Sequence, residues 1–320
     1  MKAIRVHEFG EAEVMQLEDL PDPQPAPGQV VVDVEAAGVN PVDAYVRAGI
    51  HMLKPVLPYT PGMDCAGTVA AIGDGVAGIE VGQRVYSAGT LTGAYAEKTV
   101  CAEPQVFALP DSLSFAQGAA LGIPYGTAYY ALHLRAGAKP GDTVLVHGAS
   151  GGVGIAAIQM AKSAGMTVIG TGGSEVSEQL IYDQGADHVL NHHAPEHFDE
   201  ILSLTQGRGV DVVLEMLANV NLGNDLSILA LGGRVIVIGS RGRVEIDARD
   251  LMGRNGDIRG MTLMHMTGSE RADVYRAIGE GLADGTLVPR VSREYPLAEA
   301  GLAHRDVLET STHGKLVLVP

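Results

Sequence analysis

Residues 142–165 read DTVLVHGASGGVGIAAIQMAKSAG. DTVLVHG (142–148) reads as a strand. Four glycines crowd residues 147–154, and an apolar stretch with helical spacing follows from Val153. A strand that feeds a helix through a glycine turn suits phosphate binding, because backbone N–H groups at the helix start point at an anion with no side chain in the way. The turn departs from the dinucleotide pattern G-x-G-x-x-G only at its first position, where Ala149 precedes Gly151 and Gly154. A methyl is tolerable there if φ is negative. Gly151 and Gly152 let the backbone approach a pyrophosphate, and Gly154 lets the helix pack on the sheet. No Gly-Lys-Ser/Thr follows, so the turn is not a P-loop.

Outward from this point, strands and helices alternate. MTVIGTGG (166–173), ADHVLNH (186–192), VDVVLEMLA (210–218), RVIVIGS (234–240) and IRGMTLM (258–264) read as strands. SEVSEQLIYDQG (174–185) and stretches around 197–206 and 221–231 read as helices. This alternation predicts a parallel sheet with right-handed crossovers. Before Pro124 the pattern differs: VVVDVEAAGV (30–39), GTVAAIGDGV (67–76), VGQRVYSAG (81–89) and GAYAEKTVCA (93–102) are short strands between glycines. They predict a compact, barrel-like β domain. The tail ends in another strand, KLVLVP, apolar from 316 on but opened by Lys315. The fold class is therefore α/β, a β-rich domain joined to a doubly wound sheet.

The second strand of the alternating region ends Gly170-Thr171-Gly172-Gly173-Ser174. Sites for NAD place an Asp or Glu there to hold the ribose 2′-OH. Its absence favours a 2′-phosphate and NADPH, although no Lys or Arg stands before the helix to pair that phosphate. Glu175 reads as a first-turn acid matched to the helix dipole.

Bulk properties narrow the function. The 320 residues carry 22 Lys and Arg against 38 Asp and Glu, a formal net charge of −16. Such a surface repels phosphate backbones and argues against nucleic-acid binding. The two cysteines, Cys65 and Cys101, exclude a disulfide framework and suit a reducing compartment. The N-terminus has no apolar core of signal-peptide length, and no segment reads as a membrane span. The expectation is a cytoplasmic protein.

Six segments carry a family resemblance: AAGVNPVDAYVRAG (36–49), LPYTPGMDCAG (57–67), GIPYGTAYYAL (122–132), LVHGASGGVG (145–154), EMLANVNLGNDLS (215–227) and GGRVIVIGSRG (232–242). With them the chain resembles the medium-chain dehydrogenases/reductases, and most closely the zeta-crystallin type of NADPH:quinone oxidoreductase. The resemblance implies a GroES-like catalytic domain, 1–123 with 268–320, around a Rossmann domain, 124–267, with nicotinamide and substrate in a cleft between them. It implies pyrophosphate contacts from Ser150, Gly151, Gly152 and Val153, and adenosine-side contacts from Gly173 and His192. Asn221 and Ile238, Gly239, Ser240 and Arg241 would line the rest of the cofactor. Met261, Thr262 and Leu263 would approach the nicotinamide, with Asn40 and Thr127 near its ring. His51 stands where the family has a tyrosine near the cofactor, and Arg241 becomes the candidate partner of the 2′-phosphate. The resemblance also implies a homodimer or homotetramer.

Zinc-dependent members need a Cys, a His and an acid or second Cys around the metal. This chain has Asn40 at the first cysteine's place and Met63-Asp64 where those enzymes show His-Glu, and it has no four-cysteine lobe. No catalytic zinc is expected. His188, His192, His193 and His197 cluster in sequence and read as surface or cofactor-facing side chains. Without a Lewis acid the substrate must accept electrons unaided, as a quinone does. Asn40, Tyr45 and Tyr59 are neutral groups suited to orient it, though either tyrosine is equally suited to packing in the barrel. An alkenal or enone double-bond reductase is the rival enzyme. A crystallin-like structural or RNA-binding role is the reading from another class.

Overall fold

The computed structural model describes residues 1–310 and 312–320. The chain divides into two compact units, Tyr125–Val274 and Met1–Pro124 with Tyr275–Pro320.

The middle unit holds six strands: β1 (Thr143–Val146), β2 (Thr167–Gly172), β3 (His188–Asn191), β4 (Val210–Glu215), β5 (Leu229–Val237) and β6 (Asp257–Gly260). They pair in the order β3-β2-β1-β4-β5-β6, all parallel. This is the doubly wound order, with its switch point between β1 and β4. Helices α1 (Gly152–Ser163), α2 (Glu175–Asp183), α3 (His197–Leu204), α4 (Ala218–Ser227) and α5 (Ala248–Arg254) make the connections. Helix α1 is buried almost all round, with Ile155, Ala156, Ala157, Ile158, Met160 and Ala161 covered. Leu145, Ile169, Val213 and Leu226 pack in a core on the sheet. Each such side chain contributes roughly 1.5–3 kcal/mol on burial. Several expected spans end early in the structure, the strand read over 210–218 stopping at Glu215 with Ala218 already in α4. The strand read through 258–264 stops at Gly260, and the chain turns into Leu263–His265, where the Thr262 hydroxyl accepts from the Met264 N–H at 3.4 Å. The helix read over 221–231 ends at Ser227, because Leu229 is claimed by ladder pairing with Val210.

The other unit is β-rich. A seven-stranded sheet runs in the order Val291–Pro296, Lys315–Val319, Gln29–Val39, Asp64–Ile72, Arg84–Ala88 and Val106–Ala108, with Lys98–Ala102 also on Gln29–Val39. The long strand Gln29–Val39 shifts register between Val31 and Val32 and again between Val34 and Ala36. Such bulges bend a strand and let it serve two partners in succession. The C-terminal strand joins it antiparallel, with Leu316 opposite Val39, which brings Lys315 to the segment around Asn40 and Asp64.

Candidate active site

In the middle unit, the predicted cofactor residues from Ser150 to Leu263 all follow carboxyl ends of strands: Ser150–Val153 after β1, Gly173 after β2, His192 after β3, Asn221 after β4, Ile238–Arg241 after β5 and Met261–Leu263 after β6. That is the edge where open α/β sheets bind ligands. Thr127 precedes β1 in the chain and is buried in the helix Gly122–Tyr129. Gly151 is the N-cap of α1, at φ −79° and ψ 171°, and no side chain caps that helix. The first N–H groups of a helix have no acceptor inside it, so this end presents uncapped donors and a partial positive charge. Gly148 takes φ 57°, and Gly154 lies so close to the turn that a Cβ would stand 2.5 Å from the Ala149 Cα. Gly239 is equally constrained: its Cβ would stand 2.4 Å from the Met216 carbonyl oxygen.

Of the histidines read as a cluster, His192 and His193 stack edge to face with ring centroids 4.4 Å apart. Both Nε2 atoms converge on Gly173, 2.7 and 3.0 Å from where its Cβ would be. His197 instead bonds the Ala194 carbonyl at 2.6 Å. A different trio was not foreseen. His147, Glu215 and Asp225 bring one ligand-type atom each within 4.8 Å of one another, all buried. The signal was present as single polar residues, His147 and Glu215 at the ends of buried strands and Asp225 on α4, but 78 residues separate His147 from Asp225.

In the β-rich unit, Asn40 precedes the helix Pro41–Arg47 and is 2% exposed. Its amide nitrogen donates to Asp64 Oδ2 at 2.9 Å, and its amide oxygen accepts from the Lys315 ammonium. Lys315 Nζ lies 3.3 Å from Asp64 Oδ2, and Asp64 Oδ1 accepts from the Ile123 N–H at 2.9 Å. Gly122 makes room for that bond, since a Cβ would stand 2.4 Å from Asp64 Oδ1. Asp43 Oδ2 accepts from the Asn40 N–H at 2.9 Å. Burial drives the Asp43 carboxyl up to about 7, Asp64 adding to the effect. Burial also raises Asp64 and lowers Lys315, each opposed by the charge of the other.

Beside this cluster a cavity of about 420 Å³ opens among Asp43, Val46, Leu53, Tyr59, Thr60 and Met63. Tyr59 contributes a buried hydroxyl with no hydrogen-bond partner, and burial pushes its pKa up, keeping it a neutral donor. Arg5 is on the wall, tied to the Pro58 carbonyl at 2.8 Å. Tyr45 is half-buried on the Pro41–Arg47 helix, and its carbonyl accepts from the N–H groups of Ile50 and His51. His51 Nδ1 accepts from the Leu53 N–H at 3.1 Å, and burial lowers its pKa.

The comparisons agree with this geometry. Residues 26–111 match the model of the alcohol dehydrogenase GroES-like domain, and 152–280 match that of zinc-binding dehydrogenase. The quinone oxidoreductase of Sus scrofa is 47% identical over 321 residues, covering 100% of this chain and 98% of the relative. The chain belongs to the quinone oxidoreductase family. Among solved structures, Escherichia coli quinone oxidoreductase complexed with NADPH superposes with a TM-score of 0.91 at 29% identity, covering 100% of both chains. CurK enoyl reductase superposes at 0.90 with 26% identity, covering 99% of this chain and 98% of its own. Membership of this family brings a nicotinamide cofactor. The zinc of the wider superfamily does not fit the residues present. Asn40 and Asp64 already share a buried ammonium, and Met63 offers only a thioether.

Proposed function

We propose that this quinone oxidoreductase family member reduces quinones at the expense of NADPH without zinc. The observation that carries the reading is the Lys315 ammonium held between Asn40 and Asp64, two residues that the family resemblance sets at zinc-ligand places. With Asn40 and Asp64 engaged by a protein cation, a substrate oxygen has hydrogen bonds alone to lean on. A quinone needs no more, because its reduction yields an aromatic ring. NADPH, when bound, supplies the reducing equivalents. Gly151, Gly152 and Val153 would receive the pyrophosphate, with Ser150, Gly173, His192, Asn221, Ile238–Arg241 and Met261–Leu263 along the same edge. Tyr59 would donate to a quinone oxygen through its unpartnered hydroxyl, with Tyr45 and Asn40 as further polar groups. Two buried free thiols suit the cytoplasm, and among the described residues no helix is long and apolar enough to cross a membrane. Assembly as a homodimer or homotetramer follows the family resemblance.

NADPH should bind more tightly than NADH. At the end of β2, Gly173 leaves no acid to repel a 2′-phosphate, and the His192–His193 pair stands over it. Gly173→Asp should push those rings aside and move the preference toward NADH. Fluorescence titration of both dinucleotides checks this, and equal affinities in the parent protein would contradict it. Activity should also survive dialysis against EDTA, with no zinc retained in stoichiometric amount. Loss on dialysis and recovery with zinc would overturn the metal-free reading. The rival, double-bond reduction of an enone, is separated by product, a saturated carbonyl instead of a hydroquinone.

A further inference from the structure

Beneath the glycine turn lies a cluster the proposed chemistry does not use. His147 directly precedes the turn, Glu215 ends β4, and Asp225 projects from α4. They are 3%, 0% and 0% exposed. His147 Nε2 lies 2.8 Å from Asp225 Oδ1 and 3.5 Å from Glu215 Oε2, and its Nδ1 lies 3.4 Å from the Thr171 hydroxyl at the end of β2. Glu215 Oε1 accepts from the Leu217 N–H and from Asn221 Nδ2, the latter at 3.3 Å. Glu215 Oε2 and Asp225 Oδ2 have no donor.

Two buried acceptors without a donor, in a trio of one imidazole and two carboxyls, mean that something positive is missing. A metal fits poorly. Two ligands of a tetrahedral zinc stand roughly 3.3 Å apart, whereas the His147–Asp225 contact has hydrogen-bond length. A proton fits. Carried by one carboxyl, it supplies the absent donor and halves the buried negative charge.

We infer that Glu215 is a positioning residue for the dinucleotide, and that it works in a proton-sharing pair with Asp225. In that form it holds the Leu217–Asn221 segment in place and keeps excess negative charge away from the Gly148–Gly154 turn. Burial, the largest cause for each, pushes both carboxyls up to about 7 and pushes His147 down, so the imidazole stays neutral. The charged or titratable groups facing Glu215 are His147 from the β1 end and Asp225 from α4, and His147 in turn lowers His192 at the end of β3. From β5 the residue in register is Val237, and from α3 the neighbour of His147 is the Phe198 ring, neither titratable.

This inference rests on the reading of this edge as the cofactor site, and the test separates the two. NADPH and NADH are titrated by fluorescence at about pH 6.5 to 8.5 against the parent protein, Glu215→Gln and Glu215→Ala. A glutamine oxygen still accepts from Leu217 and Asn221, and its amide N–H can donate to Asp225, so it copies the protonated acid. The parent Kd should rise roughly tenfold over this range for both dinucleotides, one proton's release changing affinity by at most a factor of ten per unit. Glu215→Gln should bind tightly with a flat profile, and Glu215→Ala weakly throughout. Should the alanine variant fail to fold, the glutamine comparison alone carries the test. A Glu215→Gln profile as steep as the parent's, a flat parent profile, a slope with NADPH only, or a stoichiometric metal in the purified protein would each overturn the inference. Failure of the parent to bind either dinucleotide at pH 6.5 would instead overturn the cofactor reading and this inference with it.

Discussion

Gly151→Val should raise the Kd for NADPH by at least about a hundredfold, roughly 2.7 kcal/mol, and lower the melting temperature of the free protein by only a few degrees. At φ −79° and ψ 171° the backbone of Gly151 suits any residue, and its Cβ would meet only the Gly148 carbonyl oxygen at an ordinary 3.5 Å. The fold itself leaves room for a side chain. Exchanging glycine for valine at an N-cap costs on the order of 1 kcal/mol. The loss of binding has another source: the branched side chain stands where the pyrophosphate must approach the uncapped N–H groups of α1. Gly154→Ala supplies the contrast. Its Cβ would meet the Ala149 backbone at 2.5 Å, so it should lower stability with or without cofactor. Thermal shift measures both effects, because ligand at a hundred times its Kd stabilises by about 2.7 kcal/mol. An undiminished NADPH shift in Gly151→Val would mean that the glycine turn is only structural.

Lys315→Met should cost about 3–5 kcal/mol at pH 8, the penalty for stranding a buried charge. Lys315 is 4% exposed and Asp64 is 0% exposed, so solvent screens neither. Methionine matches the stem but leaves Asp64 and Asp43 without a cation. The sign of the pH dependence follows. Both acids have folded-state pKa values raised above their unfolded ones, so the native state binds more protons, and stability falls as pH rises above the ordinary carboxylate range, for Asp43 through about 7. Removing the ammonium raises them further. The gap between variant and parent should therefore be widest near pH 8 and narrowest near pH 5. Denaturant unfolding across this range checks it, and a gap independent of pH would show that lost packing, not charge, sets the cost.

These two sites differ in how far the sequence reveals them. The strand, glycine turn and helix of residues 143–163 are local, and hydrophobic spacing alone gives their order and ends to within a residue or two. The alternation after β1 likewise exposes the parallel sheet, and the strand order 3-2-1-4-5-6 follows from the fold class. The ion cluster has no such locality. Asp64 and Lys315 are 251 residues apart, and they meet because the C-terminal strand pairs with Gln29–Val39. Its one trace in the sequence is the lysine that opens an otherwise apolar strand, a residue whose charge must find a buried partner. Asn40 could be singled out by its position, but not the engagement of its amide with Asp64 and Lys315. The His147–Glu215–Asp225 trio was hidden for the same reason, His147 following β1 while Glu215 and Asp225 belong to the β4–α4 unit.

The most direct measurement is the rate of NADPH oxidation across ortho- and para-quinones, enones and, in the reverse direction with NADP, simple alcohols, with EDTA present throughout. The account predicts turnover with quinones, little with enones and almost none with alcohols. Faster reduction of enones than of quinones, or alcohol oxidation that requires zinc, would contradict it.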